Sequence, residues 1–237
     1  MHTAAIIPAA GRGVRLGPGA PKALRPLGGA PLLVHSVRAL ARAAEVDVVV
    51  VAAPVEQVAA VQRLLADHLL ETDIVVVAGA DTRQQSVAQA LRALPPDVEV
   101  VLVHDAARPL VPADLLDRVI AAVREGAAAV VPVLLIPDTL KEVEPVGATA
   151  RVVRTLDRTW VRAVQTPQGF RRSVLAQAHE AAGVDAVELT DDAGLVERIG
   201  VEVRVVQGAE EAFKVTRPFD LVLAEAVLAR HRAAGSL

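Results

Sequence analysis

Five short apolar runs, Ala4–Pro8, Val46–Ala53, Asp73–Ala78, Glu99–His104 and Ala128–Leu134, alternate along the chain with segments that repeat apolar residues at helical spacing. Those segments are Leu32–Ala44, Val55–Leu70, Gln84–Leu94 and Pro112–Arg124. The runs are apolar at nearly every position, as strands are when both faces of their sheet are covered. Strand, helix and strand in series predict right-handed crossovers, hence an α/β fold with a doubly wound, mostly parallel, Rossmann-like sheet. A chain of 237 residues is long enough to bury a sizeable core. With 53% hydrophobic residues but one Trp, three Phe and no Tyr, Ala, Val and Leu have to form it.

The alternation breaks after Pro137. Asp138–Glu144 and Arg151–Leu156 are extended, mixed-polarity segments joined by Pro145-Val146-Gly147-Ala148, which predicts a β-hairpin arm at about 137–158. A two-stranded arm has too little apolar surface to stand alone, so a second subunit is its expected support. The α/β pattern then resumes with helices at Arg172–Ala182 and Asp191–Arg198, a strand at Val201–Val206 and a closing helix from about Pro218 to Ala233. No repeat or linker interrupts residues 1–237, so a single domain carrying one arm is expected.

Several function classes are disfavoured. The chain has no cysteine, so disulfides, thiolate nucleophiles and Cys-ligated metals are out. A net charge of −3 and 2% aromatic residues suit neither a nucleic-acid platform nor an anionic membrane surface. The amino terminus lacks a signal peptide's basic and apolar regions, and no apolar run is long enough to span a bilayer, so a cytoplasmic protein is expected. The only lysines are Lys22, Lys141 and Lys214; arginine supplies every other basic position.

Candidate chemistry lies at strand ends, where ligands of open α/β sheets bind. The first strand leads into Pro8-Ala9-Ala10-Gly11-Arg12-Gly13-Val14-Arg15, followed by Pro21-Lys22. Small residues allow close backbone approach, and the cations suit a polyphosphate. A dinucleotide fingerprint is the rival, but Gly17 comes one position late and Pro18 and Pro21 fall where its helix should run. A solvated surface loop is the plain alternative. A second cluster runs from Gly79 through Ala80, Asp81, Thr82 and Arg83 to Ser86, where Asp81 or Thr82 can cap the next helix and Ser86 can meet a base edge. A third, His104-Asp105-Ala106-Ala107-Arg108-Pro109, puts an acid at a strand tip, able to hold a ribose or position a divalent cation. There Arg108 can bind a second anion or merely pair with Asp105. Later groups are Asp138-Thr139-Leu140-Lys141, Asp157-Arg158, Thr166-Pro167-Gln168, Thr190-Asp191-Asp192-Ala193, with Thr190 reading as a helix cap, and Lys214-Val215-Thr216-Arg217-Pro218.

Taken in order over nearly the whole chain, these motifs resemble the 2-C-methyl-D-erythritol 4-phosphate cytidylyltransferases of the non-mevalonate isoprenoid pathway. The resemblance implies a nucleotidyltransferase fold and transfer of a cytidylyl group from CTP to methylerythritol phosphate, with release of pyrophosphate, Mg²⁺ as cofactor and a homodimer through the arm. It implies catalytic roles for Arg15, Lys22, Arg158 and Lys214. Pro8, Ala9, Ala10, Gly11, Gly13, Gly79, Ala80, Asp81, Ser86, Asp105 and Ala106 would form the nucleotide site, with Asp105 a candidate metal ligand. Arg108, Thr139, Arg158, Thr166 and Thr190 would contact the acceptor, with Thr139 and Arg158 reaching in from a partner subunit. Departures from the family pattern are Ala23-Leu24 after Lys22, Ala80 for a common glycine, Phe213 before Lys214, and Phe219 for a common acid.

The alternatives are a cytidylyltransferase for another polyol phosphate such as ribitol 5-phosphate, a non-catalytic nucleotide-binding module, and an NAD-dependent oxidoreductase. In an arginine-rich chain, two of three lysines fall where the resemblance puts catalytic cations. A compact ammonium and a planar guanidinium meet a reacting phosphate differently. Lys22→Arg and Lys214→Arg should therefore each lower turnover despite keeping the charge; rates equal to the unsubstituted protein in a steady-state assay would refute this.

Overall fold

A computed structural model describes residues 1–11, 21–68, 72–183 and 189–235. Strand β1 (His2–Pro8) is followed by a small β2 (Pro26–Leu27) and β3 (Ala30–Pro31) hairpin, helix α1 (Leu32–Ala41) and β4 (Val48–Ala53). Next come α2 (Val58–Ala66), β5 (Asp73–Ala78), α3 (Arg83–Arg92), β6 (Val98–Val103), α4 (Ala113–Arg124) and β7 (Ala129–Leu135). The arm is β8 (Lys141–Val146) and β9 (Thr149–Thr155). Then β10 (Arg162–Val164), β11 (Gln168–Arg171), α5 (Arg172–Ala182), α6 (Asp192–Arg198), β12 (Val203–Gln207) and α7 (Pro218–Ala233) complete the chain.

Each expected strand is present. The segment expected as one helix from Val55 begins instead as a 3-10 turn at Val55–Gln57 before α2.

The main sheet runs β5-β4-β1-β6-β11-β7, with β10 and β12 also paired to β7. Pairings of β1 with β4 and β6, of β4 with β5, and of β12 with β7 are parallel. The departure from expectation is β10 and β11, which run antiparallel to β7, with β11 lodged between β6 and β7. Gln168-Gly169-Phe170-Arg171 is too short and too mixed to stand out as a strand in sequence. In the fold Phe170 is fully buried, and a Cβ on Gly169 would lie 2.5 Å from Val119 Cγ1.

Strand residues alternate between two apolar layers, as the period of a strand requires. Ala5, Ile7, Val49, Val51, Val100 and Leu102 pack against α1, α2 and α4 on one face. Ala4, Ile6, Val48, Val50, Val101 and Phe170 pack against α3, α5 and α6 on the other. A third, smaller core seats α7 on Leu27, Leu32, Leu110 and Val215. The arm strands pair only with each other and are exposed throughout. Lys141 closes the arm, donating to Thr155 Oγ1 at 2.6 Å. Among the described residues no helix is long and apolar enough to cross a membrane.

Parallel strands bring the carboxyl ends of β1, β4, β5 and β6 to one rim. His104, fully buried beyond β6, pins that rim to the segment between β10 and β11. Its Nε2 lies 3.1 Å from the Arg108 carbonyl and its Nδ1 lies 3.1 Å from Thr166 Oγ1. A carbonyl only accepts, so Nε2 carries the proton and Nδ1 accepts from the Thr166 hydroxyl. That hydroxyl accepts in turn from the Asp105 N–H at 3.0 Å. Burial outweighs the raising influence of Asp105 and pushes the imidazole down to about 4, so it stays neutral at pH 7. The unfolded chain takes up this proton near 6.5 and the folded protein resists until about 4. The group's stabilising effect is therefore whole above pH 6.5 and is lost as pH falls through that window, by about 3 kcal/mol in all. Urea unfolding at pH 7 and pH 4.5 should give a markedly smaller pH difference for His104→Asn; an unchanged difference would overturn the assignment.

Candidate active site

The cleft opens at the rim between the residues after β1 and those after β5 and β6. The Ala9 N–H donates to the Ala52 carbonyl at 2.8 Å and the Gly79 N–H to the Ala53 carbonyl at 2.7 Å, which sets the two loops side by side. Gly79 is required here by close approach. A Cβ on it would come within 2.6 Å of the Ala10 Cβ and 3.1 Å of Ser86 Oγ.

Thr82, not Asp81, caps α3. Its hydroxyl accepts from the Gln85 N–H at 3.1 Å while Gln85 Oε1 accepts from the Thr82 N–H at 3.3 Å, a reciprocal capping box. Ser86, 1% exposed, accepts from the Ala80 N–H at 3.0 Å and donates to the Thr82 carbonyl at 2.9 Å. The serine expected from the sequence to meet a base edge braces the loop.

Pro8, Ala9, Ala10, Gly11, Ala80, Asp81, Ser86, Asp105, Ala106, Lys22 and Lys214 all line the cleft, together with Arg83. Gly79 lies beneath it. Gly13 and Arg15 lie outside the described residues.

The electrostatic centre is Asp105, 9% exposed. Lys214 Nζ donates to its Oδ2 at 2.7 Å and Arg83 Nε to its Oδ1 at 3.3 Å. Burial alone pushes this carboxyl up, but Arg83, Lys214 and Arg108 overcome it and hold the group well below the usual carboxylate range. Arg83 also donates through Nη1 to Asp192 Oδ2 at 2.6 Å, and His179 Nε2 lies 3.0 Å from Asp192 Oδ1. Arg83, Asp192 and His179 escaped the sequence reading as site residues. Two stood in quoted motifs, but no spacing signals a pair 109 residues apart.

The loop that brings Lys214 to Asp105 is tightly held. Arg108 Nη1 donates to the Ala212 carbonyl at 2.7 Å, its Nη2 to the Val164 carbonyl at 3.3 Å, and the Val215 N–H donates to the Ala107 carbonyl at 2.8 Å. Gln165 clamps residue 209 from both sides, donating to its carbonyl at 2.8 Å and accepting from its N–H at 3.0 Å. Arg108 therefore bonds carbonyls and makes no ion pair with Asp105; its buried Nε has no protein partner among the described residues.

The residues expected to contact the acceptor are scattered within one chain. Thr166 is buried in the His104 junction. Thr139 and Arg158 sit exposed on and beside the arm, with Arg158 bonded to the Pro137 carbonyl, and neither lines the cleft. Thr190 is exposed and does not cap α6. Asp191 does, accepting from the Gly194 N–H at 3.1 Å, because its carboxylate is also anchored by Gln168 Nε2 at 2.7 Å.

A larger groove near the start of α5 is rimmed by Arg124, Arg171 and Arg172, all bonded to carbonyls, and holds none of the groups described above. Among the described residues no three His, Asp or Glu side chains gather to hold a metal. The cleft thus offers small backbone walls, cations around one ionised carboxylate and, among the described residues, no nucleophile beside a base: a place able to hold and neutralise phosphates.

The sequence pattern of IspD, 2-C-methyl-D-erythritol 4-phosphate cytidylyltransferase, matches residues 3–230. The chain is 60% identical to the protein of that name from Streptomyces coelicolor over 236 residues, covering 98% of this chain and 86% of that one. It is 58% identical to the Frankia casuarinae protein of the same name, covering 97% of this chain and 82% of the other. The crystal structure of the Thermus thermophilus enzyme of that name superposes with a TM-score of 0.77 at 40% identity, covering 97% of this chain and 100% of that one. A 4-diphosphocytidyl-2C-methyl-D-erythritol synthase from Anaerococcus prevotii gives 0.82 at 29% identity, covering 96% and 98%. A match that runs through the rim loops, Asp105 and Lys214 alike places this chain in the 2-C-methyl-D-erythritol 4-phosphate cytidylyltransferase family.

Proposed function

We propose that the chain transfers a cytidylyl group from CTP to 2-C-methyl-D-erythritol 4-phosphate, releasing pyrophosphate, in isoprenoid precursor synthesis. The observation that carries the site assignment is the Lys214–Asp105–Arg83 cluster facing the glycine-lined loops, in a chain similar to this family from end to end. An acceptor phosphate monoester has a second pKa of about 6 and is largely dianionic at pH 7, so no general base is needed. Its oxygen attacks the α-phosphorus, the bond to the bridging oxygen breaks, and pyrophosphate leaves with the electron pair. The barrier is the approach of one anion to another. Positioning and charge neutralisation lower it, which suits a cleft rich in cations with no nucleophile–base pair among the described residues.

In this reading Arg15 and Lys22 neutralise the α-phosphate, and Lys214 and Arg158 position the acceptor phosphate. Residues Pro8 to Gly11, Gly13, Gly79 to Asp81, Ser86, Asp105 and Ala106 hold the nucleotide. Arg108, Thr166 and Thr190 frame the acceptor, the first two as rigid walls given the bonds they already make. Thr139 and Arg158 belong to the partner subunit's contribution. Support for a homodimer comes from the arm, whose Val143, Val146, Val152 and Val153 are exposed, as is Trp160 at its base; two lone strands need a packing surface. Mg²⁺ would be held by Asp105 from the protein side and otherwise by triphosphate oxygens and water, the ligand mixture Mg²⁺ favours over an all-protein cage. One buried, ionised carboxylate in the cleft fits that mode, and the bound ion would neutralise phosphate charge.

Pyrophosphate release assayed with CTP and each polyol phosphate separately should appear with methylerythritol phosphate; turnover with ribitol 5-phosphate alone would transfer the assignment to that substrate. Lys214→Ala and Arg15→Ala should each lower kcat by about 10²-fold or more, with CTP affinity changed far less, because their effect lies in the transition state. Calorimetric CTP titrations beside rate measurements separate the two, and undiminished kcat in both variants would sink these roles.

A further inference from the structure

The charges around Asp105 do not end at the cleft. From Lys214 the row continues through Asp105 and Arg83 to Asp192, and behind Asp192 stands His179. It crosses from the loop after β12 through the start of α3 to α6 and α5. Its far end is sealed: Asp192 is 1% exposed, the His179 side chain is 5% exposed, and neither lines the cleft. Contact with substrate does not explain them.

Stability alone does not require them. Burying ions costs several kcal/mol each, and a well-packed apolar replacement of a buried ionic cluster is often as stable. The distances suggest what the row accomplishes. Arg83 holds Asp192 at 2.6 Å and Asp105 only at 3.3 Å, whereas Lys214 holds Asp105 at 2.7 Å. Arg83 is thus committed chiefly to Asp192. If Asp192 lost its charge, the guanidinium would be left with one carboxylate and would compete with Lys214 for it.

We propose that Asp192, with His179 behind it, is a positioning residue for Lys214: by engaging Arg83 it leaves Asp105 to hold the Lys214 ammonium where the phosphates arrive. The inference rests on the catalytic role given to Lys214 above, yet its geometric half concerns the ligand-free protein alone. The chain's composition makes that half measurable. With only three lysines, protein labelled with ¹³C at lysine Cε gives three side-chain signals, and Lys214→Ala identifies the one that matters.

In Asp192→Asn the Lys214 signal should move while that of Lys141, on the arm, stays in place. Removing the competitor as well, in Arg83→Gln/Asp192→Asn, should return the Lys214 signal toward its original position. A purely structural role predicts no such reversal. Turnover of Asp192→Asn should fall tenfold or more with the CTP dissociation constant within about threefold of the unsubstituted value. If Asp192→Asn does not fold, the uncharged double variant decides: an unmoved Lys214 signal supports the proposal and a displaced one overturns it. A Lys214 signal that stays put in a folded Asp192→Asn overturns it too, as does a moved signal with undiminished turnover. The spectra need no substrate, so they read independently of the acceptor assay, which tests the proposed reaction by itself.

Discussion

A carboxylate buried at the tip of a strand has to be answered by cations, and Asp105 dictates much of what surrounds it. It draws Lys214 across a separation of 109 residues and takes a second bond from Arg83. Meeting that demand requires the loop after β12 to cross the rim, and Arg108, Gln165 and the Ala107 carbonyl hold it there. The same strand end supplies His104, whose neutral ring ties β6 to Thr166. Charge, loop path and strand pairing meet within a few residues.

The sheet makes this possible by interrupting its own pattern. Parallel strands β1, β4, β5 and β6 end at one rim, and the residues that follow β1, β5 and β6 line the cleft. Insertion of the antiparallel β11 between β6 and β7 brings Gln165, Thr166 and Gln168 to that rim from a different direction. Gln168 in turn bonds Asp191 and the Ala193 N–H, fixing the start of α6 and so the place of Asp192. The residues that line the cleft thus follow parallel strands, and the antiparallel β11 segment supplies groups that brace them.

Local signals were legible in the sequence because local physics decides them. Apolar runs marked the parallel strands, Thr82 was one of two residues expected to cap α3, and Pro218 opens α7. At α6 packing overrode the cap expected from the sequence. Asp191 rather than Thr190 caps α6 because Gln168 anchors its carboxylate. β10 and β11 left little trace, since three and four residues carry no periodicity; the place of β11 depends on Phe170 filling the layer beneath α3 and α5.

The sequence by itself determined the alternation of strands and helices, the exposed arm, the absence of thiol chemistry, and a set of rim motifs whose residue types suit phosphates. It also singled out Lys22 and Lys214 by their rarity. Only the tertiary structure decided that Asp105 meets Lys214 and Arg83, that Arg108 bonds carbonyls, and that Asp192 and His179 extend the row inward. The reason is physical: periodicity and capping act over one turn or one strand, whereas a charge buried in a low-dielectric rim selects partners by proximity, and proximity between residues 83, 105, 192 and 214 exists only once the sheet has formed.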